Sequence, residues 1–527
     1  MRSRKRWAKV GAILAATAMA LSACGTANKP NTEKPAQGPS GSINAFAAYD
    51  TTNWNPSNTS SALAVGANLQ VIEGLYEFDF TNFTAHKALA QEDTPTKAGD
   101  LTYEIKLRDG AKFSDGTNVT SKDVVTSFER VIKGDSTASD VKPSFYAAFV
   151  PFIESVTAKD DSTVTLKLKY PVEALPERLA VVKIVPAKAT FDQLTKMPIG
   201  SGPYKYDKIT DIAQDLSVNE HYNGPTPATV EKIHYDNSRD ATVRQTAAIS
   251  GTTDIVESAD PAGLAQLKKA GWKVEEATAY GYANMLFNTK KAPFDKPATR
   301  QGILTAIDTK TIISTALGGA GVKPTAFLPE SSPVYKKAAT QFDFDVNKAK
   351  ALLEKGGAAG ATVNFIVTTD AWVAAMGPQI KQNLEAAGLK VNLTTKASGD
   401  VWSNDVAQGT YDILLAPGDS GVFGPSPSNQ LGGWYFSDLF LKERVFLAES
   451  DPATYQKLKA LIAEADKLTG DAYKAKWGNV LDLAAESAAI YPVVFHTLYT
   501  AYNPAKVSDV KAIGTTGLQL LGVKAVK

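Results

Sequence analysis

Cysteine is almost absent, since a chain of 527 residues holds only Cys24. A body this large must therefore stand on packing, with no disulfide framework. Histidine is scarce as well. His86, His221, His234 and His496 are scattered, with no pair at metal-ligand spacing and no HExxH or CxxC. No Walker loop and no GxGxxG is present, so nothing marks a phosphate or dinucleotide cradle. No basic patch or long charge run occurs, which argues against nucleic acid and against electrostatic adsorption to a membrane. Neither a cofactor nor a metal is expected.

What is present begins at the N-terminus. Arg2, Arg4, Lys5, Arg6 and Lys9 form a positive leader ahead of an apolar run at 10–21. That run would span about 18 Å as a helix, too short for a hydrocarbon core of roughly 30 Å. The pattern is that of a secretory signal. Leu21-Ser22-Ala23-Cys24 resembles the bacterial lipobox, which makes Cys24 the expected lipidated first residue of the mature protein. Residues 24–41 are rich in Pro, Gly, Asn and Lys and read as a flexible tether. The expected location is the outer face of the cytoplasmic membrane.

Without residues 1–23 the chain has 504 residues, with 51 basic and 55 acidic side chains, enough for two or three domains. Short strands alternate with amphipathic helices, an α/β pattern with more than one sheet. Leu101, Tyr103, Ile105 and Leu107 alternate with polar residues as a half-buried strand. Thr120 with Asp123 opens a helix whose apolar face is Val124, Phe128, Val131 and Ile132. Residues 156–169 read as a hairpin turning at Asp160-Asp161. Asp240, Asp260, Asp308 and Asp345 are expected to start later helices. Residues 490–495 form an apolar run.

Two motifs look chemical and fail on inspection. Gly418-Asp419-Ser420-Gly421 repeats the tetrapeptide around the nucleophile of trypsin-like proteases, but no histidine lies in a matching setting, and the helices contradict a β-barrel. It reads as a turn. Asp343, Asp345, Asn347 and Glu354 fit positions 1, 3, 5 and 12 of a calcium loop. Position 6, which needs glycine for the sharp turn, is Lys348. Asp345 is instead expected as an N-cap.

Four blocks carry a family resemblance. LTYEIKLRDGAKFSDGTNVTSKDVVTSFERV at 101–131 is the first, and IGSGPY, NEHYNG and SGTTDIV within 199–256 follow. FNTKKAPFDKPATRQGILTAIDTKTII at 287–313 and FDVNKAKALLEKGG at 344–357 complete the set. In this order they resemble the family 5 extracellular solute-binding proteins, the peptide and nickel class that serves ABC importers. The resemblance implies an α/β, two-lobed, periplasmic-binding-protein-like fold (Venus-flytrap, cluster C) with an inserted subdomain. Lobe 1 would combine 42–79, 199–284 and 495–527, with 80–198 inserted. Lobe 2 would be 285–494.

The implied function is capture without catalysis. A solute is clamped between the lobes by hinge closure and passed to the permease subunits of an ABC importer, with the receptor a monomer. Short peptides are the expected cargo, with an oligosaccharide as the alternative and a nickel chelate behind it. An exported serine hydrolase using Ser420 is the reading from a different class. In peptide-binding relatives an aspartate of lobe 2 pairs with the peptide amine, and here Asp419 follows the strand after Tyr411-Asp412. Relatives place tryptophan three residues earlier, where this chain has Ala416. Trp402, Trp434 and Tyr435 fall in the ligand-facing part of lobe 2. Tyr49, Asn53 and Trp54 follow the first strand of lobe 1, and Tyr280 and Tyr282 lie near the crossover.

Overall fold

A computed structural model describes residues 38–527. The leader, Cys24 and the tether up to residue 37 lie outside the described residues. Among those described, no helix is long and apolar enough to cross a membrane.

Several helices start where a side chain satisfies their first N–H groups. Asp240 Oδ1 accepts from Thr242 N at 2.7 Å, opening helix Ala241–Ser250, which ends at Gly251 with φ +76. Asp345 Oδ1 accepts from Lys348 N at 2.9 Å, while Asp343 pairs with Lys323. Asp345 therefore opens helix Val346–Lys355 as an N-cap. At helix Ser121–Ile132 both the N–H and the hydroxyl of Thr120 donate to Asp123, at 2.8 and 2.7 Å. Leu353 packs so closely on helix Pro297–Ala306 that a Cβ at Gly302 would fall 3.0 Å from its Cγ.

One sheet runs through both halves of the body. Its strand order is Lys390–Lys396, Thr362–Thr368, Ile413–Asp419, Lys273–Phe287, Ile490–Tyr502, Ile255–Val256, Ser42–Ala47, Lys232–Asn237, Ala213–Val218 and Tyr204–Ile209. The short strand Gly321–Val322 pairs with Ile490–Tyr502 beside this path. Lys273–Phe287 and Ile490–Tyr502 are the two long strands common to both halves. Their antiparallel register slips between Thr278 and Tyr282. That irregularity, where the ladder bends, lies a few residues before the border expected at 284/285.

A second sheet, in the order Thr96–Lys97, Thr102–Lys106, Thr163–Leu168 and Ile153–Asp160, is built wholly from the segment expected as the insert. Ile105, Val124, Phe128, Val164 and Leu166 form its core, together with Phe423 and Ile513 from distant parts of the sequence. The hairpin of Tyr76–Asp79 with Thr84–Lys87 spans the border expected at 79/80. Separate apolar cores fill the half around Ile43, Val71 and Ile233 and the half around Phe287, Ile303 and Leu414.

Candidate functional site

Strand Ile413–Asp419 delivers one carboxylate to the place where the two halves meet. Ile413, Leu414, Leu415 and Ala416 are buried, as suits a strand with neighbours on both edges. Pro417 and Gly418 follow, and glycine is required at 418. A Cβ there would lie 2.2 Å from the Tyr435 hydroxyl and 3.1 Å from Asn284 Nδ2. Asp419 then sits opposite Gly281 of the crossover strand.

The Asp419 carboxylate binds backbone and side chain from the far end of the sequence. Oδ1 accepts from Gly421 N at 2.8 Å, and Oδ2 accepts from the Thr515 hydroxyl at 2.8 Å and from Thr516 N. A carboxylate offers about four acceptor positions, so about one stays open. Burial pushes the carboxyl up to about 6, against the pull of those hydrogen bonds. Among the described residues no lysine or arginine pairs with it.

Tyr49 lies beside this group, following strand Ser42–Ala47. Burial raises its pKa, and Glu257, Asp370 and Asp419 raise it further. Glu257 is itself buried, and burial raises its carboxyl although Ala48 N and Gly517 N donate to it at 2.9 and 2.7 Å. Arg239 links Asp50 at 2.8 Å to Asp370 at 3.5 Å. One further group comes from the second half and one from the shared strand Ile490–Tyr502. The Trp372 ring stacks on His496 with centroids 4.1 Å apart and 7° between planes. Burial lowers His496 to about 4, so its imidazole is neutral at pH 7, and neither nitrogen has a partner. Thr368 Oγ1, Asp370 Oδ2 and Thr516 Oγ1 are likewise buried and unpartnered.

Not every residue expected from the sequence joins this group. Tyr280 and Tyr282 flank Gly281 and so lie beside Asp419; both are buried, and the Tyr282 hydroxyl has no partner. Tyr435 packs edge-on to Tyr282 at 5.3 Å, deep in its half, with its hydroxyl also unpartnered. Trp434 is partly exposed among Phe145, Phe423 and Phe440. Trp402 carries the Arg444 guanidinium on its face at 4.3 Å and donates to Ser398 Oγ, a packing role.

Trp54 needs correction: it is 2 % exposed and packs edge-on to Tyr206 inside the core of its own half. Asn53 needs the same, because its amide is used within its loop, donating to Asn58 Oδ1 and accepting from Asn55 N. Ser420 is buried with its hydroxyl unpartnered, so no base holds it. The residues missed were Glu257, Asp370, Trp372, His496 and the 515–516 pair. The one available signal was Glu257, an acidic residue closing the apolar strand Ile255–Val256.

The comparisons agree with this architecture. A family model described as bacterial extracellular solute-binding proteins, family 5, middle region, matches residues 84–439. Heme-binding protein A of Haemophilus influenzae is 27% identical over 526 residues, covering 92% of this chain and 93% of that protein. Di/tripeptide-binding protein 1 of Pseudomonas aeruginosa is 24% identical, covering 76% of this chain and 78% of its own length. Among solved structures, a dipeptide-binding protein from Pseudoalteromonas sp. SM9913 in complex with Met-Leu superposes with a TM-score of 0.80 at 18% identity, over 92% of this chain and 100% of that one. A periplasmic binding protein from Helicobacter pylori in complex with the peptide STSA also gives 0.80, at 20% identity and 93% and 98% coverage. The fold is thus the two-lobed binding-protein fold with a mixed sheet.

Proposed function

The chain belongs to family 5 of the bacterial extracellular solute-binding proteins, and from that premise we propose that it is the receptor of an ABC importer for short peptides, bound around Asp419. Proteins of this family bind solutes for importers and are not enzymes, which leaves Ser420 no catalytic part. One observation carries the peptide reading: Asp419 is a half-buried carboxylate with an acceptor position to spare and no cationic partner among the described residues. Burying such a group is costly unless it is paired, and the α-ammonium of a peptide supplies both charge and N–H donors. The Pseudomonas relative, named for di- and tripeptides, supports the same cargo.

Capture works through closure. Asp419 with Thr515 and Thr516, and Arg239 with Asp370, join the lobes, and cargo between them adds contacts available only when the lobes are together. A full switch from open to closed needs cargo to favour the closed state by about 5.5 kcal/mol. Lipidation of Cys24 and the tether beyond it would hold the receptor at the outer face of the membrane, near its permease, and raise its effective concentration there.

Calorimetry of the purified protein with di- to pentapeptides, their N-acetylated forms and oligosaccharides tests the reading. Peptides should bind and acetylation should abolish most of the affinity. Equal affinity for both forms removes Asp419 as the anchor, and binding of oligosaccharides alone removes the peptide. A second reading, haem, is favoured by the Haemophilus relative and by the free neutral imidazole of His496. A haem titration with a Soret shift lost in His496→Ala would establish it.

A further inference from the structure

Three neighbouring strands put Asp419 and His496 on one face of the main sheet, with a glycine between them. Asp419 pairs with Gly281 of strand Lys273–Phe287, and residues directly opposite in an antiparallel pair point to the same face. On the other edge of that strand the ladder passes from the pair Thr278–Thr497 to the pair Tyr282–Phe495. His496 therefore stands opposite the irregular stretch that contains Gly281. A Cβ built on Gly281 would lie 3.7 Å from the His496 Cβ. The Cβ atoms of Asp419 and His496 are then at most about 9 Å apart.

Gly281 is also where the site has room. A Cβ there would meet nothing nearer than that 3.7 Å contact. On Gly418, Gly421 or Gly321 it would fall 2.2, 2.9 or 2.8 Å from an atom already packed there. A bare Cα flanked by a carboxylate and an imidazole gives a bound chain space to cross the strand.

His496 is committed to nothing else. The residue is 7 % exposed, and neither ring nitrogen has a hydrogen-bond partner. Trp372 stacks on the ring at 4.1 Å with 7° between planes, which fixes the plane of the imidazole and leaves its nitrogen edge unused. Burial lowers the pKa to about 4, so the ring is neutral at pH 7, with one nitrogen a donor. Buried N–H groups are rarely left unpaired, so this donor calls for an acceptor from outside the chain. The guanidiniums around the site are occupied. Arg244 donates to the carbonyls of Ser238, Glu257 and Ser258, and Arg239 holds Asp50 and Asp370. The contact left for cargo on this side is a neutral one.

We propose that His496 is a specificity-determining residue of the cargo site, its imidazole N–H donating to the first peptide carbonyl of a cargo whose α-ammonium lies on Asp419. The span fits this carbonyl. In an α-aminoacyl group three bonds separate the ammonium nitrogen from the carbonyl oxygen, about 3 Å through space. With a hydrogen bond of about 2.9 Å at each end, the run from carboxylate to imidazole is about 9 Å at full stretch, the separation of the two side chains. The next carbonyl lies about 3.3 Å further along an extended chain and overshoots. The proposal rests on the peptide reading and adds one requirement to it, a carbonyl one carbon away from the amine. An oligosaccharide or a simple diamine lacks that group.

The test is calorimetry of the purified protein, His496→Phe and His496→Gln. The ligands are Ala-Ala-Ala, its analogue with a trans-alkene in place of the first peptide bond, and haem. Phenylalanine keeps a ring against Trp372 and loses both nitrogens, whereas glutamine gives up the ring and keeps a donor. The wild type should bind the peptide about tenfold or more tightly than the alkene analogue. That ratio should fall to about one in His496→Phe and stay above one in His496→Gln. Equal affinities in the wild type, a ratio unchanged in His496→Phe, or a ratio lost equally in both variants overturns the role of His496 and leaves the peptide reading standing. Haem binding that depends on His496, without peptide binding, overturns both, and so does binding of no ligand.

Discussion

Asp419 and Thr515 are 96 positions apart in sequence and 2.8 Å apart in space, the threonine hydroxyl donating to the carboxylate. On the proposed reading this one side chain both fastens the C-terminal segment to strand Ile413–Asp419 and offers the open acceptor for cargo. Its protonation should be felt in both roles.

The first prediction concerns pH. Asp419 has a folded pKa of about 6, raised above the ordinary 3.8 by burial. A raised carboxyl binds more protons folded than unfolded between those two values. Its contribution to stability therefore falls as pH rises from about 4 to about 6, and is constant above. Cargo binding runs the other way, because an ammonium needs the ionised form. Peptide affinity should fall by up to about tenfold per unit below pH 6. Calorimetry at pH 7.5 and 5.0 checks this; Asp419→Asn should bind weakly at both values, with the pH dependence gone.

A second prediction concerns Arg239, which pairs with Asp50, just after strand Ser42–Ala47, and reaches Asp370, just after strand Thr362–Thr368. The guanidinium is half-exposed, so its contribution to closure is small, about 0.2–1 kcal/mol. Arg239→Ala should weaken cargo binding by about two- to fivefold, and the difference should vanish near 1 M salt, where the Debye length is about 3 Å. A loss that persists at high salt would assign Arg239 a direct contact with cargo.

What was legible in the chain divides along sequence distance. Thr120 with Asp123, and Asp345 with Lys348, are contacts three residues apart, and the capping chemistry alone identifies them. Tyr280 and Tyr282 could be placed only near the crossover; that Gly281 between them pairs with Asp419 is a contact between distant strands that no local pattern states. Asp370 could not be placed beside Arg239, nor Asp466 beside Arg178, because no local pattern states which loops meet after residues 131 or 288 apart are brought together. Trp54 failed for a different reason. An aromatic following a strand is compatible with cleft or core, and only the neighbouring Tyr206 decides for the core.

The third prediction uses His234, at the centre of the paired strands Lys232–Asn237 and Ala213–Val218. Burial alone would lower its pKa, but Asp215 at 2.6 Å and Asp236 at 3.3 Å outweigh it and the net shift is upward. A histidine with a raised pKa contributes stability that is complete below its unfolded value of about 6.5 and is lost as pH rises through the folded value. The melting temperature of the wild type should exceed that of His234→Gln at pH 6 and the gap should close by pH 8.5. A gap that is constant with pH would mean that shape, and not charge, sets the contribution.

The last prediction concerns how firmly the inserted part is fixed to the second lobe. Gly432 and Gly433 are neighbours with different surroundings. A Cβ at 433 would lie 2.1 Å from Phe149 Cδ1, whereas one at 432 would meet the Ile462 Cγ2 methyl at 3.1 Å. Phe149 cannot turn aside, because it is fully buried and packs on Tyr146 at 5.5 Å and on Phe423 at 4.4 Å. Ile462 has only to yield by a few tenths of an ångström. Overpacking of the first kind costs about 1–3 kcal/mol, and relief requires the insert and the lobe to separate. Gly433→Ala should therefore melt several degrees below Gly432→Ala and scatter as a more open particle without cargo. Equal melting temperatures and equal scattering would show that the seam gives way freely, and that the contact between Phe149 and the second lobe does not hold the insert in place.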